Sequence, residues 1–430
     1  MNNQTVILGG GVAGCMAAKA LAPHGPVVLV EATPRLGGLM QDVEFGGFRF
    51  DIGVFLFSEE HPMFRAFPGT RELCVQVVHN NQVLTPADDI AGYPFSMRNF
   101  IGSNGLSKSA GAAANLLWHK IRSRRRHNFP EWARYYLGNA LYEQSGFRHY
   151  VERLYCLPHT EIGLKFALYR LAMIETECSL RKNFFGIARK FIRRTEGVYH
   201  YPCYVRPAGG FGVLFGEIAR QLTAAGVQII TGNNHLSVSA DGAGHIVSTD
   251  AGEIVCKRVI STIPVTAAAD ALGISAGEFP TMTLKTLCYE LDGEPNFTSP
   301  TLYNFTFAEQ WKRLTLFSRF YPGKEQHYFG VECTMPEDSD IPTYDLRAGF
   351  ERHTAEHAVF RGSIRFLGVK ITRNAYPLYK TGYEQQQEYV KQQIAARGIT
   401  LAGRQGDFAY LTSGEVAQRA EALAPAAAGQ

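Results

Sequence analysis

A glycine-rich turn between two short apolar runs restricts the fold of this chain more than any other feature of its sequence. Thr5 to Leu8 (TVIL) lead directly into GGGVAG, and Val27 to Val30 (VVLV) follow a short alanine-rich segment. Four consecutive apolar or β-branched residues are typical of a fully buried strand, and residues 13–21 between the two runs favour a helix. The sequence therefore predicts a β-α-β unit with the glycines in its first turn.

The glycines at positions 9, 11 and 14 form a G-x-G-x-x-G pattern, and each has a mechanical reason. Gly9 permits a tight turn, Gly11 lets backbone N–H groups approach a pyrophosphate, and Gly14 lets the helix pack closely on the strand. The N-terminus of that helix directs its partial positive charge at the phosphates. Glu31 ends the second strand, where a carboxylate accepts hydrogen bonds from ribose hydroxyls. This combination predicts dinucleotide binding; the alternative is a purely structural glycine turn.

The residues after Glu31 distinguish between two classes of dinucleotide. ATPRLGG (32–38) adds a second glycine pair, which a nicotinamide-binding domain does not need. The stretch resembles the E-x-x-x-x-x-G-G extension of the superfamily that contains amine oxidases, protoporphyrinogen oxidases and UDP-galactopyranose mutases. This resemblance implies non-covalently bound FAD, with the extension beside its pyrophosphate.

The end of the chain agrees with an FAD protein. LAGR (401–404) is followed by a polar turn and by a helix expected from about Gly414, whose N-terminus would face the flavin and favour negative charge on the reduced ring. The residues expected to contact the cofactor, from the glycine pattern and from the resemblance, are Gly9, Gly11, Gly14, Glu31, Arg35, Gly37, Gly38, Gly53, Gly403, Arg404, Ser413 and Gly414.

Length and composition narrow the class of protein further. A chain of 430 residues is too long for one ordinary core, so two domains are expected, and 46% hydrophobic with 19% charged residues is typical of a soluble globular protein. A net charge of +4 does not indicate a nucleic-acid-binding protein. The strand at Thr5 leaves no room for a signal peptide, and no apolar run has membrane-spanning length. The eight cysteines contain no C-x-x-C motif, which favours reduced cysteines in a cytoplasmic protein without a metal site.

The order of predicted elements divides the chain into alternating pieces. The predicted fold class is α/β: a Rossmann-like FAD-binding domain assembled from discontinuous segments (1–60, 200–275 and 395–430). Between them we expect a mainly helical insertion over 61–199 and a sheet-containing substrate domain over 276–394, where apolar and polar residues alternate. The active site is expected where the FAD-binding and substrate regions meet.

Two basic stretches, 122–126 and 181–194, need a separate interpretation. The second interleaves aromatic with basic residues and could form an amphipathic helix on an anionic membrane. The favoured alternative is a solvated helix face without membrane contact.

Several later segments resemble UDP-galactopyranose mutases in particular. RLYCLP (153–158) and RLTLFSRFYP (313–322) match motifs of that family, and AYP (375–377) and the stretch from Gly403 to Tyr410 match two more. Guanidinium groups suit bidentate phosphate recognition, and tyrosine hydroxyls donate hydrogen bonds without adding charge. Carried over residue by residue, the resemblance implies that the diphosphate of a nucleotide sugar is bound by Arg170, Arg313, Tyr376 and Tyr410.

The motifs nearest the flavin depart from the mutase pattern. Where that family has D-x-G-G-H, this chain has DIGVF (51–55), so Phe55 replaces a histidine near flavin N5 and cannot transfer a proton. The terminal acidic motif of the family is replaced by Thr412-Ser413-Gly414, which resembles the oxidase branch instead. No catalytic side chain is therefore predicted.

Two enzyme functions follow from these features. The first is a mutase-like rearrangement of a nucleotide-diphosphate sugar between pyranose and furanose forms, in which, by resemblance, flavin N5 attacks the anomeric carbon and displaces the nucleotide. The alternative is an FAD-dependent oxidoreductase that dehydrogenates a substrate in a biosynthetic pathway, as the absent histidine and the Ser413-Gly414 helix entry favour. A third interpretation, a flavoprotein without catalytic activity, is the least favoured.

Overall fold

The computed structural model of the protein describes residues 3–93, 111, 114–116, 118–119, 127–171, 201–242, 244–323, 326–339 and 341–424. The basic stretches 122–126 and 181–194 lie outside these ranges, so the interpretation of both stays a prediction. Among the described residues, no helix has the length and apolar character needed to cross a membrane.

The described residues form the following elements. The strands are β1 (Thr5–Leu8), β2 (Val27–Val30), β3 (Asp42–Phe45), β4 (Phe48–Asp51), β5 (Val75–His79), β6 (Asn81–Leu84), β7 (Ile90–Gly92), β8 (Tyr201–Val205), β9 (Gln228–Ile230), β10 (Leu236–Asp241), β11 (Gly244–Thr249), β12 (Gly252–Cys256), β13 (Arg258–Ser261), β14 (Thr281–Pro295), β15 (Thr301–Asn304), β16 (Trp311–Leu316), β17 (His327–Pro336), β18 (Phe360–Pro377) and β19 (Ile399–Leu401). The helices are α1 (Val12–Leu21), α2 (Pro62–Ala66), α3 (Thr70–Leu73), α4 (Phe129–Gln144), α5 (Phe147–Tyr155), α6 (Leu164–Arg170), α7 (Phe211–Ala224), α8 (Val265–Ala271), α9 (Thr343–Glu356), α10 (Glu384–Ala396), α11 (Gly403–Gly406) and α12 (Ser413–Glu421).

A parallel five-stranded sheet has the order β19-β13-β1-β2-β9. All four residues of β2 are buried, as expected for a strand covered on both faces. The strands come from three separated parts of the chain, which confirms that a Rossmann-like fold is assembled from discontinuous segments. The predicted β-α-β unit is present, and the predicted C-terminal helix is α12. The domain boundaries themselves stay a prediction.

A second, seven-stranded sheet has the order β18-β14-β17-β16-β15-β6-β7. Its long strands pair antiparallel, and β15 pairs with β6 in parallel. The last two strands at one end of this sheet, β6 and β7, come from the segment that we expected to be mainly helical. The isolated run of alternating residues in that segment was too short to be recognised as part of a distant sheet.

One face of the second sheet contacts the loop that follows β4. Thr286 on β14 donates its Oγ1 hydrogen to the carbonyl of Ile52 (2.8 Å). The loop is also held at its far end, because Phe57 and Tyr204 exchange two backbone hydrogen bonds of 2.8 Å. Phe57 also belongs to the hydrophobic cluster that contains Ile7 and Leu29 of the parallel sheet. Residues 52–57, called the seam loop below, therefore connect the core of the parallel sheet with the second sheet.

Candidate functional site

The first turn of the parallel sheet leaves no room for side chains. Gly9 has φ +99°, a conformation that favours glycine, and its N–H donates to the carbonyl of Val30 (2.7 Å). A Cβ on Gly14 would overlap the carbonyl oxygen of Gly9. At Gly11 the situation differs, because an added Cβ would have one described neighbour, Gly38 Cα at 3.7 Å. Gly14 is therefore required by packing within the protein, whereas the fold itself does not require Gly11.

The second glycine pair lies directly against this turn. The N–H of Gly37 donates to the carbonyl of Gly10 (2.9 Å), and a Cβ on Gly38 would lie 3.0 Å from Gly11 Cα. Gly38 also has φ +56°. Two stretches of bare backbone thus lie in direct contact and form one surface without side chains, against which a pyrophosphate could lie.

Glu31 is buried and its carboxylate has a fixed orientation. Oε2 accepts a hydrogen bond from the N–H of Gly10 (2.6 Å), and Oε1 accepts from the N–H and the hydroxyl of Thr33 (2.8 Å each). A carboxylate oxygen can accept more than one hydrogen bond, so Oε2 keeps capacity for a ribose hydroxyl. The carboxylate holds the glycine turn in place and can still take its predicted role.

The N-terminus of α1 carries neither a side-chain cap nor an acidic residue in its first turn. The first N–H groups of a helix have no partner within it, so they are available to an anion. Gly403 closes the same region, since a Cβ there would approach Ala13 Cβ to 2.6 Å. The bare backbone, the uncapped helix and the oriented carboxylate together fit the pyrophosphate and ribose of a dinucleotide.

The N-terminus of α12 is capped by residues of its own segment and is contacted by a histidine. Thr412 and Glu415 form a reciprocal capping box at this end of the helix. The Nε2 atom of His61 lies 3.1 Å from Ser413 Oγ, and His61 Nδ1 accepts from the N–H of Met63, so Nε2 carries the proton. Burial lowers the pKa of His61 to about 4, which keeps this histidine neutral.

Two of the tyrosines predicted to bind a diphosphate lie face to face. The rings of Tyr376, on β18, and Tyr410, before α12, stack with centroids 5.5 Å apart and an interplanar angle of 7°. The guanidinium of Arg404 lies 4.4 Å from the centre of the Tyr410 ring and 5.1 Å from that of Tyr376. Arg404, predicted to contact the cofactor, thus lies against the predicted substrate tyrosines; its role toward either ligand stays a prediction.

A buried ionic cluster lies beside these rings. Lys312 Nζ is 3.1 Å from Glu332 Oε2 and 3.3 Å from the hydroxyl of Tyr376. Arg313 Nε donates to Glu332 Oε1 (2.7 Å), and its Nη2 contacts the same oxygen. Arg313 Nη1 also donates to the hydroxyl of Tyr303 (3.3 Å). Of the predicted substrate residues, Arg313, Tyr376 and Tyr410 are therefore brought into one cluster.

A strand irregularity explains how two consecutive residues reach one carboxylate. Side chains alternate between faces along a regular strand, so neighbours such as Lys312 and Arg313 should point apart. The register between β16 and β17 shifts between Trp311 and Arg313, as in a β-bulge. The shift lets both cations contact Glu332.

The charges of the cluster are mutually stabilised. Burial raises the pKa of Glu332, but Arg313 and Lys312 outweigh it and hold the pKa below its ordinary value. Burial likewise lowers the pKa of Lys312, yet Tyr376 and Glu332 outweigh it and raise the pKa. All three groups are therefore ionised, and with Arg404 the cluster carries an excess of positive charge.

The cluster lies next to the seam loop. A Cβ on Gly53, a predicted cofactor residue, would be 3.8 Å from Arg313 Nη2 and 3.9 Å from Glu332 Oε1. Phe55, two residues further along, packs edge-on against Phe211 with ring centroids 5.3 Å apart. The loop itself is fixed by the buried pair Asp51–Arg206 at its start.

Two other arginines, Arg170 and Arg35, were predicted to contact the substrate and the cofactor, respectively. Arg170 is the last residue of α6, which begins beside Tyr379, where the N–H of Gly163 donates to the Tyr379 carbonyl (2.7 Å). The side chain of Arg170 lies outside the described part of the protein. Arg35 is exposed, and its Nη1 atom lies 3.4 Å from the position of a Cβ on Gly212.

The sequence prediction missed Lys312, Glu332 and Tyr303. A lysine and a glutamate inside apolar strands were the available signal, because such residues are rarely buried unless they are paired. His79, on β5, was also missed; burial and the Arg313 charge lower the pKa of His79 to about 4. Among the described residues, no group of histidine, cysteine and acidic side chains could hold a metal ion.

The flavin-containing amine oxidoreductase family model matches residues 12–285. The chain belongs to this family. The matched part begins with α1 and includes β2, the second glycine pair and the seam loop, whereas β1 lies before it. No curated protein matches this family member in sequence.

Several solved structures are similar to this amine oxidoreductase family member. Reduced UDP-galactopyranose mutase has a TM-score of 0.77 at 16% identity, with 100% of this chain and 96% of that chain covered. A proposed protoporphyrinogen oxidase from Exiguobacterium sp. 255-15 has a TM-score of 0.74 at 17% identity, with 100% of both chains covered. Putrescine oxidase bound to putrescine has a TM-score of 0.62 at 15% identity, with 99% of both chains covered. At these identities the similarity shows the fold.

Family membership implies a flavin cofactor, and the site fits FAD. Gly9, Gly11 and the N-terminus of α1 would hold the pyrophosphate, and Glu31 would hold the ribose. The seam loop, next to Arg313, contains Gly53, a predicted cofactor residue. When bound, the flavin would supply redox chemistry that no side chain provides.

Proposed function

We propose that this flavoenzyme acts on a nucleotide-diphosphate sugar in a mutase-like rearrangement that leaves the substrate mass unchanged. The observation that carries the proposal is the cluster of Arg313, Lys312 and stacked Tyr376 and Tyr410 beside the seam loop. Its cations and tyrosine hydroxyls can donate hydrogen bonds and its net charge is positive, which suits a diphosphate. A reduced flavin would supply the nucleophile, and the tyrosines and cations would hold the diphosphate as it leaves.

Each side chain of the cluster has a separate role in this proposal. Glu332 fixes the orientation of the Arg313 guanidinium group. The N–H groups that do not contact Glu332 therefore keep one direction and need not be oriented when a ligand binds. Tyr376 and Tyr410 form a stacked pair whose hydroxyls can donate hydrogen bonds to a phosphate without adding a further charge. Substrate enclosure by these aromatic groups would exclude water, which strengthens each charge-assisted hydrogen bond.

A second function, FAD-dependent dehydrogenation, is supported by one specific observation. Phe55 occupies the position of the mutase histidine and packs against Phe211, so it offers no group for proton transfer. An oxidoreductase that transfers hydride to the flavin has less need of such a group. The cationic cluster would then bind a phosphorylated or carboxylated substrate.

Product mass distinguishes the two functions. Purified enzyme, with FAD bound non-covalently as we propose, is incubated with a panel of UDP-, GDP-, CDP- and dTDP-sugars under two conditions: reduced with dithionite, or oxidised with an added electron acceptor. The products are separated by chromatography before their masses are measured. A mutase produces an isomer of equal mass in excess over enzyme. A product two hydrogens lighter that forms only with an electron acceptor supports the oxidoreductase, and the absence of any nucleotide-sugar product under either condition contradicts the mutase proposal.

A further inference from the structure

Lys312 occupies a position that the function of Arg313, Tyr376 and Tyr410 does not explain. Its side chain is 5% exposed and its ammonium group has two described partners, Glu332 Oε2 at 3.1 Å and the Tyr376 hydroxyl at 3.3 Å. Glu332 is already neutralised by Arg313, so a second cation is not needed to pair it. A buried cation beyond this requirement is costly unless another group compensates it.

The direction of the hydrogen bond to Tyr376 is fixed by chemistry. An ammonium group has three donors and no acceptor, so Lys312 must donate to the Tyr376 oxygen. The same phenol therefore cannot donate its own proton to Lys312. That proton is left for an acceptor on the other side of the hydroxyl.

The surroundings of Tyr376 restrict where this acceptor can lie. One face of its ring stacks on Tyr410, and Lys312 Nζ lies 4.4 Å from the ring centre. Arg404 is the further cation near the ring, and it likewise has no acceptor. The nearby carboxylate of Glu332 is already engaged by Arg313 and Lys312. The two cations beside the ring, Lys312 and Arg404, offer donors, which an acceptor-rich anion would satisfy.

We propose that Lys312 is a positioning residue that commits the Tyr376 hydroxyl as a hydrogen-bond donor to the diphosphate of the ligand and thereby makes the site prefer a diphosphate to a monophosphate. This inference rests on the proposed function, because it assigns a ligand group to the same cluster. Lys312 acts through Tyr376 and through its charge, and these two effects can be separated by substitution.

Three variants isolate the two effects. Lys312→Met removes both the charge and the donor, whereas Lys312→Gln keeps an N–H donor without charge. Tyr376→Phe removes the acceptor to which Lys312 donates. The matched control is Lys285→Met, because Lys285 is also a buried lysine of the second sheet but donates to the carbonyl of Ile341 (2.6 Å) instead.

The readout is the dissociation constant of UDP, UMP and inorganic pyrophosphate for the FAD-bound protein, measured by isothermal titration calorimetry. Lys312→Met should weaken UDP and pyrophosphate by about ten- to a hundredfold, the range for losing a charge-assisted hydrogen bond. Lys312→Gln should show a smaller loss, UMP should be affected less than UDP, and Lys285→Met should bind as wild type. In the Tyr376→Phe background, Lys312→Met should cost less than it does alone.

The outcomes separate this inference from the proposed function. Equal affinities of Lys312→Met and wild type for UDP and pyrophosphate, or losses that add with those of Tyr376→Phe, overturn the role of Lys312. Wild-type protein that binds pyrophosphate but no nucleotide contradicts the nucleotide-sugar proposal, while pyrophosphate still tests Lys312. Wild-type protein that binds neither overturns both.

Discussion

The rings of Tyr376 and Tyr410 are parallel within 7° and 5.5 Å apart, although one closes a strand of the second sheet and the other precedes the last helix of the FAD-binding region. Such a pair connects the two regions at the predicted substrate site. Stacked aromatic pairs add about 0.5–1.5 kcal/mol beyond their buried area.

Replacement of Tyr410 separates this stacking from ligand binding. Tyr410→Phe keeps the stacked ring, so it should lower the thermal midpoint less than Tyr410→Ala does, but it should weaken UDP binding because the hydroxyl is gone. Tyr410→Ala should lower both. Thermal unfolding and titration calorimetry measure the two effects, and an unaltered UDP affinity in Tyr410→Phe would exclude a ligand contact of this hydroxyl.

Gly11 and Gly14 should respond differently to the same substitution. Gly14→Ala should destabilise the protein, because its Cβ would overlap the Gly9 carbonyl. Gly11→Ala meets one described atom, Gly38 Cα at 3.7 Å, and φ at this residue is −73°, so the fold should tolerate it. Its Cβ would instead occupy space needed by the pyrophosphate.

The measurement is FAD content together with circular dichroism. Gly11→Ala should give a folded, colourless protein, and Gly14→Ala should give a protein with a lowered unfolding midpoint. Gly11→Ala that retains FAD at the affinity of wild type would mean that the pyrophosphate does not pass this residue. Acid precipitation of the wild type should release FAD into the supernatant, as expected for a non-covalent cofactor.

Glu332→Gln tests the charge balance of the cluster. The substitution leaves Lys312 and Arg313 without their buried carboxylate, which should cost about 3 kcal/mol or more in unfolding free energy. A bound anion replaces part of the lost charge, so UDP should raise the unfolding midpoint more in Glu332→Gln than in wild type. Differential scanning fluorimetry with and without UDP measures both quantities; an equal ligand-induced shift would place the ligand away from Glu332.

The sequence predicted the parts of the fold that depend on local pattern. The glycine turn, both first strands and the final helix are each encoded within a few consecutive residues, so their positions were predicted closely. The pairing of Lys312 with Tyr376 depends on a bulge in β16 and on the register of β14 with β18. Long-range register has no local signal, which is why Lys312 and Glu332 were missed although Arg313 and Tyr376 were named.

Buried histidines should make the protein less stable in acid. His353 is 1% exposed, with Nδ1 accepting from Trp311 Nε1 at 3.1 Å and Nε2 lying 3.0 Å from Thr306 Oγ1. Burial, reinforced by His357 and Arg153, lowers the pKa of His353 from 6.5 to about 4. Below pH 6.5 the unfolded chain therefore binds a proton at this histidine, whereas the folded protein does not bind one until the pH is near 4. The contribution of neutral His353 to the unfolding free energy is complete above pH 6.5 and is lost as the pH falls through about 4.

The expected size is about 2 kcal/mol of unfolding free energy lost per such histidine between about pH 6.5 and about pH 5. His353→Gln should remove this share, so its unfolding free energy should fall less on acidification than that of wild type. Asp51, whose pKa burial raises to about 6 despite Arg206, acts in the opposite direction but is common to both proteins. Urea denaturation at the two pH values measures the difference, and parallel losses in both proteins would contradict the assignment to His353.

Arg313 gives the sharpest test of the diphosphate site. Its Nε and Nη2 atoms are engaged by Glu332 and its Nη1 by Tyr303, so its interactions within the protein alone could account for its burial. If it also binds the diphosphate, Arg313→Ala should cost about 2–3 kcal/mol of UDP affinity, roughly thirty- to over a hundredfold in dissociation constant. Arg313→Lys should recover part of this, because an ammonium keeps the charge but cannot donate to two oxygens as a planar fork.

Arg170→Ala is the companion variant, since the two arginines are predicted to meet at one ligand. A double variant whose UDP affinity loss differs from the sum of the single losses indicates a shared diphosphate. If Arg313 serves the fold alone, Arg313→Ala should lower the unfolding midpoint through the lost contacts with Glu332 and Tyr303, although Lys312 still pairs with Glu332, while UDP affinity stays at the wild-type value. That combination of measurements would remove Arg313 from the substrate site and, with it, the strongest support for a nucleotide-sugar substrate.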